Sequence, residues 1–250
     1  MPQVFGFPSD PEAISSTQRQ ILAEAAHTLG KGGVGGLEAK KVAIKLGISP
    51  SLINHYYSSI EELTFDAVLY SYADLVGGMR ASALASRDPE WTVRMWIEGM
   101  LDWLQEYPGL GVILEFPRQV MRTGGRQPDH PEQMLAHFTK EMSKISADNV
   151  AVMASAVRAL QTGGEMKLLS ALKIAALFKV DAAFAAYTSL MGFATIGAGL
   201  WIAGRRPGER GVPLWRQLGF NPTRQARQTT DHLIAMIRLN SVPAEPSPAP

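Results

Sequence analysis

The chain has 250 residues, of which 46% are hydrophobic and 19% are charged, a composition that is ordinary for globular proteins and leaves room for one large domain or two smaller ones. The net charge of +1 creates no global basic field for a nucleic acid. Because the chain has no cysteine, disulfides, thiol catalysis and cysteine-ligated zinc are excluded. Residues 1–15 lack the features of a secretory signal, and their prolines predict a flexible arm on a cytoplasmic protein.

A glycine-rich run follows the first predicted helix, which spans residues 17–29. Gly30, Gly32 and Gly35 spell GxGxxG. The dinucleotide-binding fingerprint requires a strand before the glycines and a βαβ unit around them. Here a helix precedes the glycines and no strand pattern follows, so we interpret the run as a flexible connector.

Residues 37–63 contain two short helical patterns separated by a tight turn. Gly47 can take the left-handed conformation that ends a helix. Ser49 can cap the next helix, with Pro50 in its first position, where a missing amide donor costs nothing. Helix, glycine turn and second short helix form a helix-turn-helix. Ser58 and Ser59, followed by Glu61 and Glu62, predict the start of a third helix.

The second helix of such a unit can enter the DNA major groove. Ile53 and Tyr57 are four residues apart and are predicted to face inward. Asn and Ser side chains can read base edges, whereas lysine and tyrosine side chains suit phosphates. Between residues 17 and 57 the chain carries five basic and two acidic residues, a local charge of +3 that a dimer would double. The candidate DNA contacts are Lys40, Lys41, Lys45, Ser49, Pro50, Ser51, Leu52, Asn54, His55 and Tyr56.

With these residues in view, the stretch from about Thr17 to Ala67 resembles the DNA-binding domain of the TetR family of bacterial regulators. The segments QRQILAEAAHTLGKGG, VAIKLGISPSLINHYY and SSIEELTFDAV carry the resemblance. Two positions differ from the family pattern. Asn54 stands where members mostly carry tyrosine, and Ile60 stands where they carry a lysine that helps to hold a DNA phosphate. Members also often have threonine where this chain has Leu37 and Glu38. The resemblance implies a dimer and a ligand pocket.

A long helix is predicted from Glu61 to about Ala85, with a weak point at Gly77 and Gly78. Further apolar helices follow Pro89, Pro108, Pro131, Lys167 and Asn221. Their aromatic and methionine stripes are typical of core packing, and they can also line a pocket between helices. Arg118 is a candidate polar anchor for a ligand. The other candidate ligand contacts are Trp96, Trp103, Phe116, Met121, His137, Phe138, Met142, Phe184 and Tyr187.

Residues 182–204 carry no charged side chain and are long enough to span a bilayer. They are rich in alanine, glycine, serine and threonine, which favours a buried helix in a dimer core over a membrane anchor. The apolar residues of the last predicted helix, Leu233, Ile234, Ile237 and Met236, are a second candidate dimer contact. Basic loop residues follow 204, and residues 241–250 predict a disordered tail.

The sequence therefore predicts an all-α protein with an N-terminal helix-turn-helix domain (16–62) and a larger helical domain for ligand binding and dimerisation (63–240). The expected function is a transcriptional regulator, a repressor, that binds a palindromic operator on double-stranded DNA as a homodimer and is released by a small apolar or amphipathic ligand. No cofactor, metal ion or membrane partner is expected. The alternatives are a membrane-anchored protein held through residues 182–204 and an all-α enzyme that uses the apolar pocket. Against catalysis, the five histidines form no HExxH or close metal pair.

Overall fold

The computed structural model describes residues 14–115, 117–123, 130–188 and 222–239. Within these ranges the chain forms helices and short connections and no strand, which confirms the predicted all-α class. The helices are α1 (Ser16–Gly32), α2 (Ala39–Leu46), α3 (Pro50–Tyr56), α4 (Ile60–Ser86), α5 (Pro89–Glu106), α6 (Pro108–Glu115), α7 (Val120–Thr123), α8 (Pro131–Thr162), α9 (Ala171–Val180), α10 (described over residues 182–188) and α11 (Pro222–Leu239). Turns of 3₁₀ helix lie at Val34–Gly36 and Pro117–Gln119. The predicted arm up to residue 13 and the predicted tail fall outside the described residues.

Local sequence signals set several helix ends. Ser15 caps α1 through a reciprocal capping box with Gln18. The Asp88 side chain accepts hydrogen bonds from two backbone amides at the start of α5, and Pro89 is its first residue. Ser170 caps α9 in the same way. These caps satisfy amide donors that a helix cannot satisfy by itself.

One compact unit contains the described residues up to 75 together with those between 103 and 145. In it, α1 packs against both α2 and α6, and α2 packs against α3. The rings of Phe65 on α4 and Phe138 on α8 stack with their centroids 4.6 Å apart. Each such buried side chain contributes about 1.5–3 kcal/mol. The buried residues of α1 are Ile21, Leu22, Ala25, Ala26, Leu29 and Gly30.

A second compact unit contains the described residues 76–102, 146–188 and 222–239. The last part of α8, from Val152 to Gln161, is buried on nearly all sides. Three arginine–carboxylate pairs join α5 to α11: Arg94 with Asp231, Arg227 with Glu98 and Arg238 with Glu90. The apolar residues Leu233, Ile234 and Ile237 of α11 are buried inside the chain, so this candidate dimer face belongs to the unit's own core, and Met236 and Leu239 remain exposed.

The structure differs from the predicted helices at two places. A helix was predicted from Lys167, but α9 begins at Ala171, because the amide of Leu169 donates to the Ser155 hydroxyl at 2.8 Å and Ser170 supplies the cap. Asp181 then ends α9 and accepts a hydrogen bond from the amide of Phe184 at 2.8 Å, at the start of α10. Residues 182–204, the predicted dimer core or membrane span, are described only as far as residue 188.

The predicted weak point at Gly77 and Gly78 does not interrupt α4, which runs unbroken through both glycines. Val76 and Met79, on either side of the pair, are buried. Tertiary packing of these neighbours therefore offsets the low helix propensity of glycine.

Candidate nucleic-acid interface

The turn between α2 and α3 has the geometry that its sequence predicts. Gly47 takes the left-handed conformation with φ 65° and ψ 28°, and its amide and that of Ile48 donate to carbonyls of the last turn of α2. The Ser49 hydroxyl accepts from the amide of Leu52 at 3.3 Å, and Pro50 is the first residue of α3. Local interactions in the turn thus help to position α3.

The turn after α3 is also held by side-chain hydrogen bonds. The Ser59 hydroxyl accepts from the amide of Glu62 at 3.1 Å, and the Glu62 carboxylate accepts from both the amide and the hydroxyl of Ser58 at 2.6 Å. These bonds hold the start of α4 against the end of the predicted recognition helix α3.

Burial divides α3 as predicted. Ile53 is 1% exposed and Tyr57, which ends the helix, is 5% exposed. Asn54 and His55 are exposed, and the His55 ring meets the Tyr56 ring edge-on with centroids 5.4 Å apart. The ten candidate DNA contacts are all exposed or partly exposed: Lys40, Lys41, Lys45, Ser49, Pro50, Ser51, Leu52, Asn54, His55 and Tyr56.

The three lysines of α2 have different surroundings. Lys41 pairs with Glu38 at 2.6 Å and Lys45 pairs with Glu24 at 2.7 Å. Lys40 is exposed and has no ion pair among the described residues. Glu38 occupies the N-cap position of α2, but its side chain makes no capping hydrogen bond. Members of the resembled family often carry threonine at this point of the chain.

A cleft of about 450 Å³ lies within the segment 37–63. Its lining includes the buried side chains of Ile53, Tyr57 and Leu63 and the more exposed side chains of Lys40, Asn54, Ser59 and Ile60. The cleft therefore combines an apolar interior with a rim that carries Glu38, Lys40 and Asn54, and it borders the predicted recognition helix.

Two titratable side chains have shifted pKa values on α4 and α8: Asp66, which is buried, and His137, which is partly exposed. Asp66 is 9% exposed and has no hydrogen-bond partner among the described residues; burial, with a smaller contribution from Glu62, raises its carboxyl pKa to about 8. Burial also raises the pKa of the Tyr57 hydroxyl, and the charges of Asp66 and Glu62 act in the same direction. Burial lowers the pKa of His137, whose Nε2 atom is buried without a partner, against the opposing effect of Glu141.

Five of the candidate ligand contacts are buried: Trp96, Trp103, Phe138, Phe184 and Tyr187. Trp103 donates its indole N–H to the Ser71 hydroxyl at 3.1 Å and lies beside Tyr72. In the second unit, the Tyr187 hydroxyl donates to the carbonyl of Met236 at 3.3 Å. The first unit holds Trp103, Met121, His137, Phe138 and Met142, the second holds Trp96, Phe184 and Tyr187, and Phe116 lies outside the described residues. Arg118 is exposed, 3.6 Å from Glu132.

Two features near the interface escaped sequence reasoning. Ile44, on α2 among the lysines, is 68% exposed, and an apolar side chain in this position suits a thymine methyl group. The end of α1 is also held by the connection between α5 and α6, where Lys31 Nζ donates to the carbonyl of Glu106 at 3.0 Å and lies over the Tyr107 ring. Ile44 falls outside the apolar spacing of Val42 and Leu46, which was the available signal for its exposure.

In the part of the chain that the structure describes, no group of three or more histidine, aspartate or glutamate side chains is arranged to hold a metal ion. Nor does any helix in those ranges combine the length and apolar character that crossing a bilayer requires.

Comparison with known proteins shows a related fold. No family model matches the chain, and no curated protein is similar to it in sequence. Among solved structures, it is similar to the transcriptional regulator FadR from Bacillus subtilis, crystallised in complex with stearoyl-CoA. The TM-score is 0.53 with 9% sequence identity, over 86% of this chain and 97% of that chain. The chain therefore shares the fold of that regulator, with an N-terminal helix-turn-helix part and a C-terminal helical part.

Proposed function

We propose that this chain is a sequence-specific DNA-binding transcriptional regulator of the TetR type. The observation that carries the proposal is the capped helix-turn-helix, in which buried Ile53 and Tyr57 anchor α3 while Ser51, Asn54 and His55 remain exposed. A short helix held in this way can enter the major groove and offer amide, hydroxyl and imidazole groups to base edges. The fold shared with a known regulator supports the same function.

The proposed DNA partner is an inverted repeat bound by a homodimer. Two recognition helices related by a two-fold axis would meet half-sites about 34–36 Å apart on double-stranded DNA. We place the contact between the copies on α9, where Leu172 is 85% exposed, Val180 is 81% exposed and Phe178 is 39% exposed. Apolar side chains grouped in this way on a surface helix commonly mark an interaction site. The adjoining residues 182–204 remain part of this proposed contact.

The proposed effector is a small apolar or amphipathic molecule, and its binding releases the DNA, so that the protein acts as a cytoplasmic repressor. FadR was crystallised with stearoyl-CoA, which joins a long apolar chain to a polar head; acyl-CoA molecules are therefore the first effectors to test. In the first unit, Trp103 lies next to Tyr107, and Tyr107 contacts Lys31 at the end of α1. An effector that binds more tightly when Trp103 takes a different position would shift α1 through these contacts. The size of the shift is limited by the difference in the effector's affinity for the two positions.

Selection of random duplex DNA by the purified full chain at about 150 mM salt tests the function. Enrichment of an inverted repeat, bound by two copies, is the expected result. The matched control is Ser51→Ala with His55→Ala, which changes exposed positions of α3 and should bind DNA without enriching the repeat. Binding that enriches no sequence and disappears as salt rises would contradict the proposed function.

The selected duplex then serves to test the effector. Acyl-CoA molecules of increasing chain length should raise the thermal midpoint of the protein and release the labelled duplex at the same concentrations. Coenzyme A without an acyl chain is the control. Tight binding that leaves DNA affinity unchanged would contradict effector control.

A further inference from the structure

The turn between α3 and α4 depends on one carboxylate. Glu62 accepts hydrogen bonds from both the amide and the hydroxyl of Ser58, each at 2.6 Å. The amide of Glu62 in turn donates to the Ser59 hydroxyl at 3.1 Å. An ionised carboxylate is an acceptor only, and its hydrogen bonds are stronger than those of a neutral group. In its ionised form, Glu62 therefore holds the chain at the point where the predicted recognition helix ends.

A second carboxyl group, that of Asp66, lies one helical turn further along α4. Residues four apart are neighbours on a helix surface, where two like charges repel. Asp66 is buried and has no hydrogen-bond partner among the described residues. Burial disfavours its charged form and the negative charge of Glu62 adds to this effect, so that the pKa of the Asp66 carboxyl is raised to about 8. Near neutral pH, Asp66 is therefore uncharged and does not oppose Glu62.

The titratable groups around Asp66 leave Glu62 as the charge that acts on it. Burial, with smaller contributions from Asp66 and Glu62, raises the pKa of the Tyr57 hydroxyl at the end of α3, so this group stays neutral. Along α4, Tyr70 is one turn further on, and the spacing of Glu61 places it on another side of the helix. The charged groups of α8 act on His137 and make no contribution to the pKa shift of Asp66: Lys140, Glu141 and Lys144. None of these described groups supplies a positive charge to an ionised Asp66.

We infer that Asp66 is a positioning residue for the recognition helix: its neutral form leaves Glu62 free to hold Ser58, and its ionisation releases that hold and weakens DNA binding. This role rests on the proposed DNA-binding function and adds to it a control by pH within the head. An ionised Asp66 repels the Glu62 carboxylate, which then turns toward solvent or takes up a proton. In either case Ser58 loses acceptor strength, and the end of α3 is less firmly fixed.

The direction of the effect follows from the two protonation states. The binding-competent head carries the Asp66 proton, so DNA affinity is present below the titration range and is lost as pH rises through it. The phosphates of a bound duplex add negative charge near the head, which favours the neutral form of Asp66 further. DNA binding should therefore be accompanied by proton uptake in mildly alkaline solution.

DNA affinity measured against pH tests this role. The full chain binds the selected duplex at constant salt between about pH 7 and pH 9. Over this range a carboxyl group with a pKa of about 8 changes from about one-tenth to about nine-tenths ionised, so affinity should fall about 10-fold for each head that contacts the duplex. Asp66→Asn stays uncharged and should lose this dependence. Asp74→Asn, at an exposed position of the same helix, is the control and should keep it.

The outcomes separate the proposed role from the proposed function. A wild type that binds the duplex with the same affinity across the range would overturn the role of Asp66, as would an Asp66→Asn variant that retains the full pH dependence. A wild type that binds no duplex at any pH in the range would instead contradict the DNA-binding function itself.

Amide hydrogen exchange of the wild type, measured by NMR without DNA, follows the turn directly. The Ser58 amide donates to Glu62, so its protection relative to an unstructured peptide should fall about 10-fold between about pH 7 and pH 9. The Leu169 amide donates to the Ser155 hydroxyl in the second unit and should keep its protection. Equal losses at both amides would mean that the whole chain loosens, and would overturn a local effect of Asp66. This comparison needs no variant.

Glu62→Gln tests whether Asp66 acts through Glu62. Glutamine keeps an acceptor oxygen but carries no charge, so an ionised Asp66 has no carboxylate to repel. The variant should bind the duplex more weakly than the wild type at pH 7, because its bonds to Ser58 are weaker. From about pH 7 to pH 9 it should then lose at most about 2-fold in affinity, since the two residues act as one coupled pair. A full 10-fold loss per head in Glu62→Gln would overturn the role assigned to Glu62.

Discussion

Gly109 of α6 lies directly against the carbonyl oxygen of Leu29 in α1, so closely that a Cβ atom on Gly109 would clash with that oxygen. The Cα atom of Gly33 would lie 3.1 Å from the same Cβ position. The two helices therefore meet backbone to backbone at this point. Because α1 also packs against α2, which packs against the recognition helix, the contact supports the whole helix-turn-helix.

Gly109→Ala should lower the free energy of unfolding by about 1–3 kcal/mol, since the added methyl group forces α6 away from α1. Urea denaturation followed by circular dichroism measures the change. The matched control is Gly78→Ala in α4, where an added Cβ meets no atom within 4 Å. There the higher helix propensity of alanine should raise stability by about 0.5–1 kcal/mol. Opposite signs for the two variants are expected, and a stabilising Gly109→Ala would contradict the close packing.

Asp66 should make stability depend on pH. Its folded-state carboxyl pKa is raised from 3.8 to about 8, so between these values the folded chain keeps a proton that the unfolded chain has released. The free energy of unfolding therefore falls as pH rises through this window, by up to about 1.4 kcal/mol per pH unit, and levels off above pH 8.

Asp66→Asn removes this titration and should flatten the slope, so that the variant gains stability over the wild type as pH rises from 5 to about 8. Chemical denaturation across that range measures it. Asp74→Asn, at an exposed position of the same helix, is the matched control. If the difference in free energy of unfolding between Asp66→Asn and the wild type stays constant with pH, Asp66 is not protonated in the folded chain within this range.

Substitutions of Asn54 and Lys41 should distinguish recognition of base edges from electrostatic attraction to the DNA backbone. Asn54→Ala should relax base preference at one position of each half-site, at a cost of about 1–3 kcal/mol on the preferred sequence. Lys41→Ala should weaken all duplexes by a similar small factor. Competition between the selected duplex and single-base variants measures both. A uniform loss with Asn54→Ala would mean that Asn54 contacts the DNA backbone and not a base edge.

Leu172→Glu should weaken the proposed homodimer, because Leu172 is 85% exposed in the single chain and a charge there would be buried between copies. Sedimentation velocity should show the dimer dissociating at least about 10-fold more readily. Lys173→Glu places the same new charge one residue along α9 and is the control. If Leu172→Glu leaves the dimer intact, the contact lies elsewhere on the chain.

Short-range signals in the sequence were sufficient to predict the helices and the turn of the candidate nucleic-acid interface. Gly47, Ser49 and Pro50 act within a few residues of themselves, through a left-handed backbone, a side-chain cap and a fixed φ angle. Helical spacing likewise predicted that Ile53 and Tyr57 are buried, as the structure confirms. Such interactions depend only on neighbouring residues, so they can be read without knowing how the helices pack.

The packing of helices that are distant in sequence determined the features of the site that the sequence did not predict. Glu24 pairs with Lys45 from 21 residues away, Leu29 leaves no room for a side chain at Gly109, and burial raises the pKa of Asp66. Among the described residues, the aromatic side chains of the predicted ligand contacts divide between two units: Trp103 and Phe138 lie in the first, and Trp96, Phe184 and Tyr187 lie in the second. Periodicity identifies the apolar side of each helix, but it does not specify which helices meet, at what distance or in what register. Those choices come from packing the whole chain.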